Sequence, residues 1–278
     1  MDTAKKSPLL STPFGRAARS IPWLTKRTCI GIATVILAFL FWYVATGSWG
    51  LISSYRFPAP AQTWHAALRI ATDGYADATL IQHILQSCKL VLMGFFAAVA
   101  VGIPLGLLTG FSVRANAVIN PVFLLIRPIP PLAWIPLAIV WLGLGDAAKV
   151  MVIWFAAFVP SVINTQTGVR MIEPYLSEAA QMLGIKKPAF VFEVLVPATL
   201  PMMFTGLRLS LQASWTTLVA AELIGAAAGL GHVLTQGSLD IDSAMILVAM
   251  AAVALCGGLM TLALGVIEKR VMPWRRTS

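Results

Sequence analysis

The 278 residues predict an all-α membrane protein with six transmembrane helices. Three observations predict it. Hydrophobic residues make up 58% of the chain and charged residues only 11%, with a mean hydropathy of +0.83, so there are too few charges to cover a water-facing surface. Six runs approach the roughly 20 mostly apolar residues that a helix needs to cross hydrocarbon. The net charge of +9 is distributed with most basic residues on one side of those runs, the bias expected on the cytoplasmic side of a bilayer. Nucleic-acid binding would need that charge on a soluble basic face, and no segment is long and polar enough to form one.

Residues 1–27 form a basic tail containing Ser and Pro. The first span, 28–45, is too long for the core of a cleaved signal peptide and lacks a convincing small-residue cleavage site after it, so it reads as a retained helix. Residues 46–77 form a segment on the far face, with FPAP at 57–60 and a short interfacial helix predicted over 63–71. Trp49, Tyr55 and Trp64 suit either an aromatic belt at headgroup level or an ordinary loop. A core spanning domain is read over 78–268. Its first helix, 84–109, carries Gly94, Gly102, Gly106 and Gly110 at fourfold or doubled spacing, a small-residue face that lets another helix approach closely. Pro104 removes one backbone donor there and predicts a local kink.

The third span, 119–142, contains RPIPPLAWIPL at 127–137, with prolines at 128, 130, 131 and 136. A continuous helix cannot form through that run. Irregular backbone at membrane depth survives only when it is buried in protein or lines a wet cavity, so the segment is either a pathway element or a kinked helix packed away from one. Spans at 149–165, 201–224 and 244–267 follow, then a basic tail at 269–278. An even count puts both termini on one side. With the termini in the cytoplasm, Lys5, Lys6, Arg16, Arg114, Arg170, Lys186, Lys269 and Arg270 fall there, while Arg56, Arg69 and Lys149 share the far face with Asp73, Asp77, Asp146, Asp240 and Asp242.

Between the fourth and fifth spans lies a polar loop, 166–197. Pro174 suits the first turn of a helix, where its missing N–H is not needed. Residues 175–183 predict a short helix with Leu176, Ala179, Ala180 and Leu183 on one stripe, closed by Gly184 as a C-terminal cap. A second short helix is predicted from Pro188 to near Val196, and two short helices meeting at a glycine would make an angular knob. The spacing is Glu178-Ala179-Ala180, three residues, Gly184, nine residues, then Val194-Leu195-Val196-Pro197. This pattern resembles the EAA motif of ABC importer permeases. The similarity extends from about residue 78 to 274, carried also by RPIPPLAWIPLAIVWLGLGDAAK at 127–149 and FTGLRLSLQASWTTLVAAELIGAAAGLG at 204–231. Those two blocks are similar to the taurine, sulfonate and nitrate branch, the taurine type most of all. Lys187 and Pro188 depart from the usual pattern where the second short helix would start.

The resemblance implies a type I ABC importer-like permease with a cytoplasmic coupling helix, in the bacterial inner membrane with both termini cytoplasmic. Glu178, Ala179, Ala180, Gly184 and Pro197 would form the loop that docks on cytoplasmic ABC ATPase subunits. A second copy of the permease would complete the pathway, and a periplasmic solute-binding protein would deliver the cargo. No cofactor is expected in this chain: ATP and Mg would belong to the partner ATPase, and no GxxxxGK[ST] phosphate loop occurs in the sequence. The implied cargo is a small organic anion, taurine or another aliphatic sulfonate, with nitrate, bicarbonate or an aromatic carboxylate as the alternative. An ion-coupled secondary carrier would also need these spans, but would leave the EAA knob without purpose, and no inverted repeat is evident.

Lys89, Arg127, Arg208 and Glu222 fall within or at the ends of the spans, where an unpaired charge is costly. Both arginines lie about two turns from the cytoplasmic ends of their predicted helices, and Glu222 lies near the opposite end of the fifth. Either the arginines relieve an anion in transit, or they pair or snorkel. The candidate pathway residues are Arg127, Pro130, Pro131, Trp134, Arg208, Trp215 and Glu222. Cys29, Cys88 and Cys256 sit in apolar runs without metal-ligand spacing, and His83 and His232 read as isolated, so no metal site and no catalytic residue is expected.

Overall fold

The computed structural model describes residues 26–48 and 57–274; the outer parts of both basic tails, Trp49, Tyr55 and Arg56 lie outside the described residues. Contacts divide the chain into two units, Met1–Ile52 and Ser53–Ser278. In the first unit, α1 (Lys26–Tyr43) ends in a π turn, Val44–Ser48, where Thr46 Oγ1 donates to the carbonyl of Trp42 at 2.7 Å. Val35, Leu37, Phe41 and neighbouring apolar side chains are exposed around α1, so hydrocarbon or another helix must be its solvent.

In the second unit the helices are α2 (Pro60–Thr72), α3 (Leu80–Phe111), α4 (Val113–Ile126), α5 (Ile135–Leu142), α6 (Asp146–Arg170), α7 (Pro174–Met182), α8 (Lys187–Ala189), α9 (Val196–Gly225), α10 (Leu230–Leu239) and α11 (Ser243–Val271). Among the described residues five helical stretches are long and apolar enough to cross a membrane, and a bent pair makes a sixth.

The glycines of α3 decide how the bundle packs. A Cβ on Gly94, Gly102, Gly106 or Gly110 would come within 2.5–2.8 Å of Ile153, Ser161, Thr165 and Val169 respectively, too close for any side chain to fit without movement. Each forward step on α3 meets a forward step on α6, so the two helices run parallel. Small residues permit this approach where lipid offers no hydrophobic drive for association. The pairing of α6 with α9 runs the other way: Gly168 faces Thr199 and Met202, Gly206 faces Asn164, and Ser210 Oγ donates to the carbonyl of Ala157 at 2.7 Å. A core of Leu90, Val91 and Phe95 from α3, Ile153 from α6, Leu211, Trp215 and Leu218 from α9, and Leu230, Ala252 and Cys256 from α10 and α11 completes the arrangement.

The proline run breaks the third span as predicted. Helix α4 stops at Ile126, residues Pro131–Trp134 form one 3₁₀ turn, and α5 leaves at 83° to α4. Pro130 and Pro131 cannot donate, and the residue before each proline is pushed out of the α region. Trp134 stacks on Phe155 of α6 with centroids 4.1 Å apart, and Ile135 and Ala138 are buried against Ala148, Val152 and Ala221. By contrast, α3 continues as one helix through Pro104.

The helix at 63–71 exists as α2, with Ala66 and Ile70 buried against Val233, Met245, Val248 and Ala249 and with Trp64 and Leu68 exposed on its other side. Arg69 is ion-paired with Asp242, and the Tyr75 hydroxyl donates to Asp240 at 2.5 Å; burial, with Asp240 second, holds that phenol above its usual range. One expectation needs correction: the second short helix predicted from Pro188 does not stand apart. From Lys187 the chain passes through a π turn, Phe190–Leu195, directly into α9. Pro197 falls in the first turn of α9, at the change from π to α register, where its missing donor does not break the helix.

Candidate functional site

Two regions combine exposure with unusual chemistry, and a third gathers buried polar groups. The first is the end of the bundle that carries α7. Asn116, in the first turn of α4, accepts from Gln166 at 3.0 Å and Arg170 at 2.8 Å through one oxygen, which ties α4 to the last turn of α6. The chain then turns at Met171 and enters α7 with Pro174 at its start. At the other end Gly184 has φ +70°; its N–H donates to Gln181 and that of Ile185 to Ala180, both at 3.0 Å. This pair of bonds is a Schellman cap, the role predicted for Gly184.

A nine-residue helix has little stability of its own, so its C-terminal cap, the proline in its first turn and a few contacts hold it. Ala180 is buried and Leu176 half-buried, while Tyr175, Glu178, Ala179, Met182 and Leu183 project outward. The predicted stripe is therefore split between a seated side and a free side. Met182 is 88% exposed and Leu183 78%, on a helix too short and too polar to lie within the hydrocarbon. Of the other motif residues, Pro197 is half-buried in α9.

The second region is a groove of about 610 Å³ between α9 and α11, lined by Arg208, Gln212, Trp215 and Thr216 on one side and Gly257, Gly258 and Thr261 on the other. Arg208 lies more than three turns into α9, deeper than the two turns predicted, because α9 begins before the apolar run does. It is ion-paired with Glu268 of α11. Arg127 also moves: it is the C-terminal cap of α4, at the break itself, beside a smaller cavity of about 160 Å³ lined by Pro131, Trp134, Phe155 and Pro160. Pro130 is exposed at the same break, while the Trp134 ring is engaged by its stack on Phe155. Lys89 is exposed on α3.

The third region reassigns Glu222. This carboxylate is 1% exposed; Ser87 Oγ lies 2.8 and 3.1 Å from its two oxygens, and the N–H of Gly231 donates to it at 2.8 Å. Ser87 Oγ also accepts from the N–H of Leu230 at 2.8 Å, and His83 Nδ1 accepts from Gly229 at 3.0 Å. Since Nδ1 accepts, the ring proton sits on Nε2 and is donated to the carbonyl of Tyr75 at 2.9 Å. Glu222, Ser87 and His83 thus cap the N-terminus of α10, where a negative charge is favoured and free N–H groups need partners. A carboxylate with both oxygens engaged in this way does not line the groove or the cavity at the break, which replaces the pathway role predicted for it. His83 and His232 are not isolated either: their ring centroids are 6.5 Å apart, and burial together with His83 holds His232 below its usual range. The histidine and serine at positions 83 and 87 share a helix face, a signal that sequence reading passed over. Gln212 and Thr216 were missed as well, although with Arg208 they make a polar row at helical spacing within an apolar span. No group of three or more metal-ligating side chains occurs among the described residues.

Residues 102–277 match the family described as binding-protein-dependent transport system inner membrane component. The chain is 36% identical over 262 residues to the taurine transport system permease protein TauC of Escherichia coli (strain K12), covering 92% of this chain and 94% of that one. It is 31% identical over 273 residues to the nitrate import permease protein NrtB of Leptolyngbya laminosa, covering 95% and 97%. Over 246 residues it is 30% identical to the putative aliphatic sulfonates transport permease protein SsuC of Bacillus subtilis (strain 168), covering 88% and 87%. An inward-facing structure of the MetNI methionine ABC transporter has the same fold, with a TM-score of 0.62 and 19% identity, covering 69% of this chain and 95% of that one.

Proposed function

Because this chain belongs to the binding-protein-dependent transport system inner membrane components, we propose that it is the membrane-spanning subunit of an ATP-driven importer. Its cargo in this reading is a small organic anion, taurine or another aliphatic sulfonate. The observation that carries the reading is the EAA segment folded as a capped, outward-facing helix at the end of a bundle of long apolar helices. The orientation follows the charge bias, with α7 and both termini in the cytoplasm.

The mechanical argument starts from chain connectivity. Helix α7 is joined to α6 through Met171 and to α9 through the π turn at Phe190–Leu195. These two helices pack on each other, and α6 packs on the α3 glycines. A partner that seats α7 in a groove and moves therefore shifts a packed unit, not a flexible loop. ATP-binding subunits that close on nucleotide would drive this motion, and the nucleotide biases the permease only through its different affinity for the two states. A second copy of the chain would complete the pathway, and a periplasmic binding protein would present the cargo. Taurine and sulfonate are supported by the names of two relatives, while the nitrate permease, similar over nearly the whole chain, supports nitrate as the second reading.

The test is reconstitution into liposomes with the cognate ATP-binding and solute-binding proteins. ATP-dependent uptake of labelled taurine, competed by alkanesulfonates and not by nitrate, is the expected outcome. Nitrate uptake without taurine uptake would move the substrate to the second reading. Solute movement by the permease alone, with no ATP-binding partner present, would overturn the reading.

A further inference from the structure

On α9, Arg208, Gln212, Trp215, Thr216 and Val219 recur at helical spacing along one stripe, about 16 Å from end to end. Opposite them on α11 stand Val253, Ala254, Gly257, Gly258 and Thr261. Arg208, Gln212, Thr216 and Thr261 are exposed, and such a polar row is expensive against lipid, so protein or water faces it.

The stripe is rich in donors. Among the groove's polar groups, the indole N–H of Trp215 is buried without a partner, although the residue is only 6% exposed. An orphaned buried donor in a well-packed span needs an explanation, and a ligand acceptor supplies one. Gly257 packs against the indole, where a Cβ would stand 3.6 Å from Cδ1 and 3.8 Å from Nε1, so only this small residue separates the N–H from the groove on that side; at Gly258 a Cβ would meet nothing within 4 Å. The hydroxyls of Thr216 and Thr261 donate to their own helices, at 3.1 Å to Gln212 and 2.8 Å to Gly257, and either can rotate toward a ligand. Among the described residues no carboxylate lines the groove. The nearest, Glu268, is ion-paired with Arg208, fixing the guanidinium while leaving it other N–H groups to offer.

We propose that the groove between α9 and α11 is where the permease itself holds its cargo, a small oxyanion of the sulfonate class, through Arg208, Gln212 and the indole N–H of Trp215. This rests on the transport function proposed above. A sulfonate has three acceptor oxygens and suits such a set of fixed donors. Because Glu268 already neutralises Arg208, the hold is weak. A site along a path must be favourable enough to enter and shallow enough to leave, so a weak hold fits transit. The phosphate of a lipid headgroup offers the same acceptor chemistry, and the experiment separates the two.

The first arm uses a Gly258→Cys protein assembled with its ATP-binding subunits in nanodiscs, with modification at position 258 read by mass spectrometry. A small sulfonated methanethiosulfonate reagent should label position 258 faster than a neutral analogue of equal size, and taurine should slow it at least about threefold. Adding Gln212→Leu should abolish the preference for the anion. Reaction with the neutral reagent only, or no protection by taurine while lipid composition changes the rate, would mean a lipid-facing groove and overturn the proposal. This arm does not depend on transport. In the second arm, Gly258→Phe places a ring in the groove from a position where a Cβ meets nothing within 4 Å, and ATP-driven taurine uptake should fall at least about tenfold in complexes that still co-purify with the ATP-binding subunit. Full uptake by this variant would overturn the groove and leave the transport function standing, whereas failure of the unmodified complex to transport any of the anions would count against the transport function alone.

Discussion

The most informative single substitution is at Gly184. The residue holds φ +70°, and a Cβ there meets no atom within 4 Å, so Gly184→Ala adds no clash and tests the backbone alone. For an L residue the left-handed region costs about 1–2 kcal/mol. In population terms that is about a five- to thirtyfold loss of the capped form. Without the cap, the N–H groups of Gly184 and Ile185 release Gln181 and Ala180, and α7 loses the turn that sets its direction relative to α9. If a motor subunit binds only the capped form, its affinity for the permease should fall by the same factor. A binding titration of the ATP-binding subunit against permease in nanodiscs measures it directly. Gly184→Asn, which tolerates this backbone better, should lose no more than about threefold. Equal affinities for the native, Ala and Asn proteins would refute the reasoning, because the turn would then not be what presents α7.

The same Schellman geometry recurs at the end of α10 with Ile241 at φ +56°, its N–H donating to Ser238 and that of Asp242 to Gly237. A β-branched residue is strained there, so Ile241→Gly should raise the thermal midpoint in detergent, corresponding to about 1 kcal/mol; no change or a fall would show that the exposed isoleucine side chain matters more than its backbone. Gly106→Ala should lower the midpoint by several degrees, since its Cβ would stand 2.6 Å from Thr165 and 2.8 Å from the carbonyl of Val162, an overpacking worth about 1–3 kcal/mol, while Gly265→Ala on α11, with nothing within 4 Å, should not. His83→Leu leaves the buried N–H of Gly229 without a partner, at about 1–3 kcal/mol, while the Tyr75 carbonyl keeps the N–H of Ala78, and should speed hydrogen exchange at residues 229–231 ahead of the rest of α10.

Much of this architecture is legible in the sequence because hydrocarbon imposes a simple length rule. The spans were placed by apolar run alone, and their ends extend further because helix α6, for example, continues from Asp146 to Arg170 beyond the apolar stretch. The glycine row of α3 announced a close contact but could not name α6 as the partner, since register between helices belongs to tertiary packing. The prolines announced a break, though not its 83° angle. Gly184 was readable as a cap because few residues tolerate its backbone. Pro188 and Pro197 misled, because both sit where a helix can begin or change register without losing a bond. Glu222 misled for another reason: a charge in a span is expected to be functional, and its capping partners lie on α3 and α10, distant in sequence from it or hidden in a Gly-Leu-Gly turn.

The central claim is that the free face of α7 sits in a motor protein. A photo-cross-linking amino acid at position 182, where Met182 is 88% exposed, tests it in the assembled transporter. The account predicts one dominant cross-link, to the ATP-binding subunit, whose yield changes when nucleotide is added. A cross-link to the periplasmic binding protein instead, or capture of lipid alone with the ATP-binding subunit present, would contradict it.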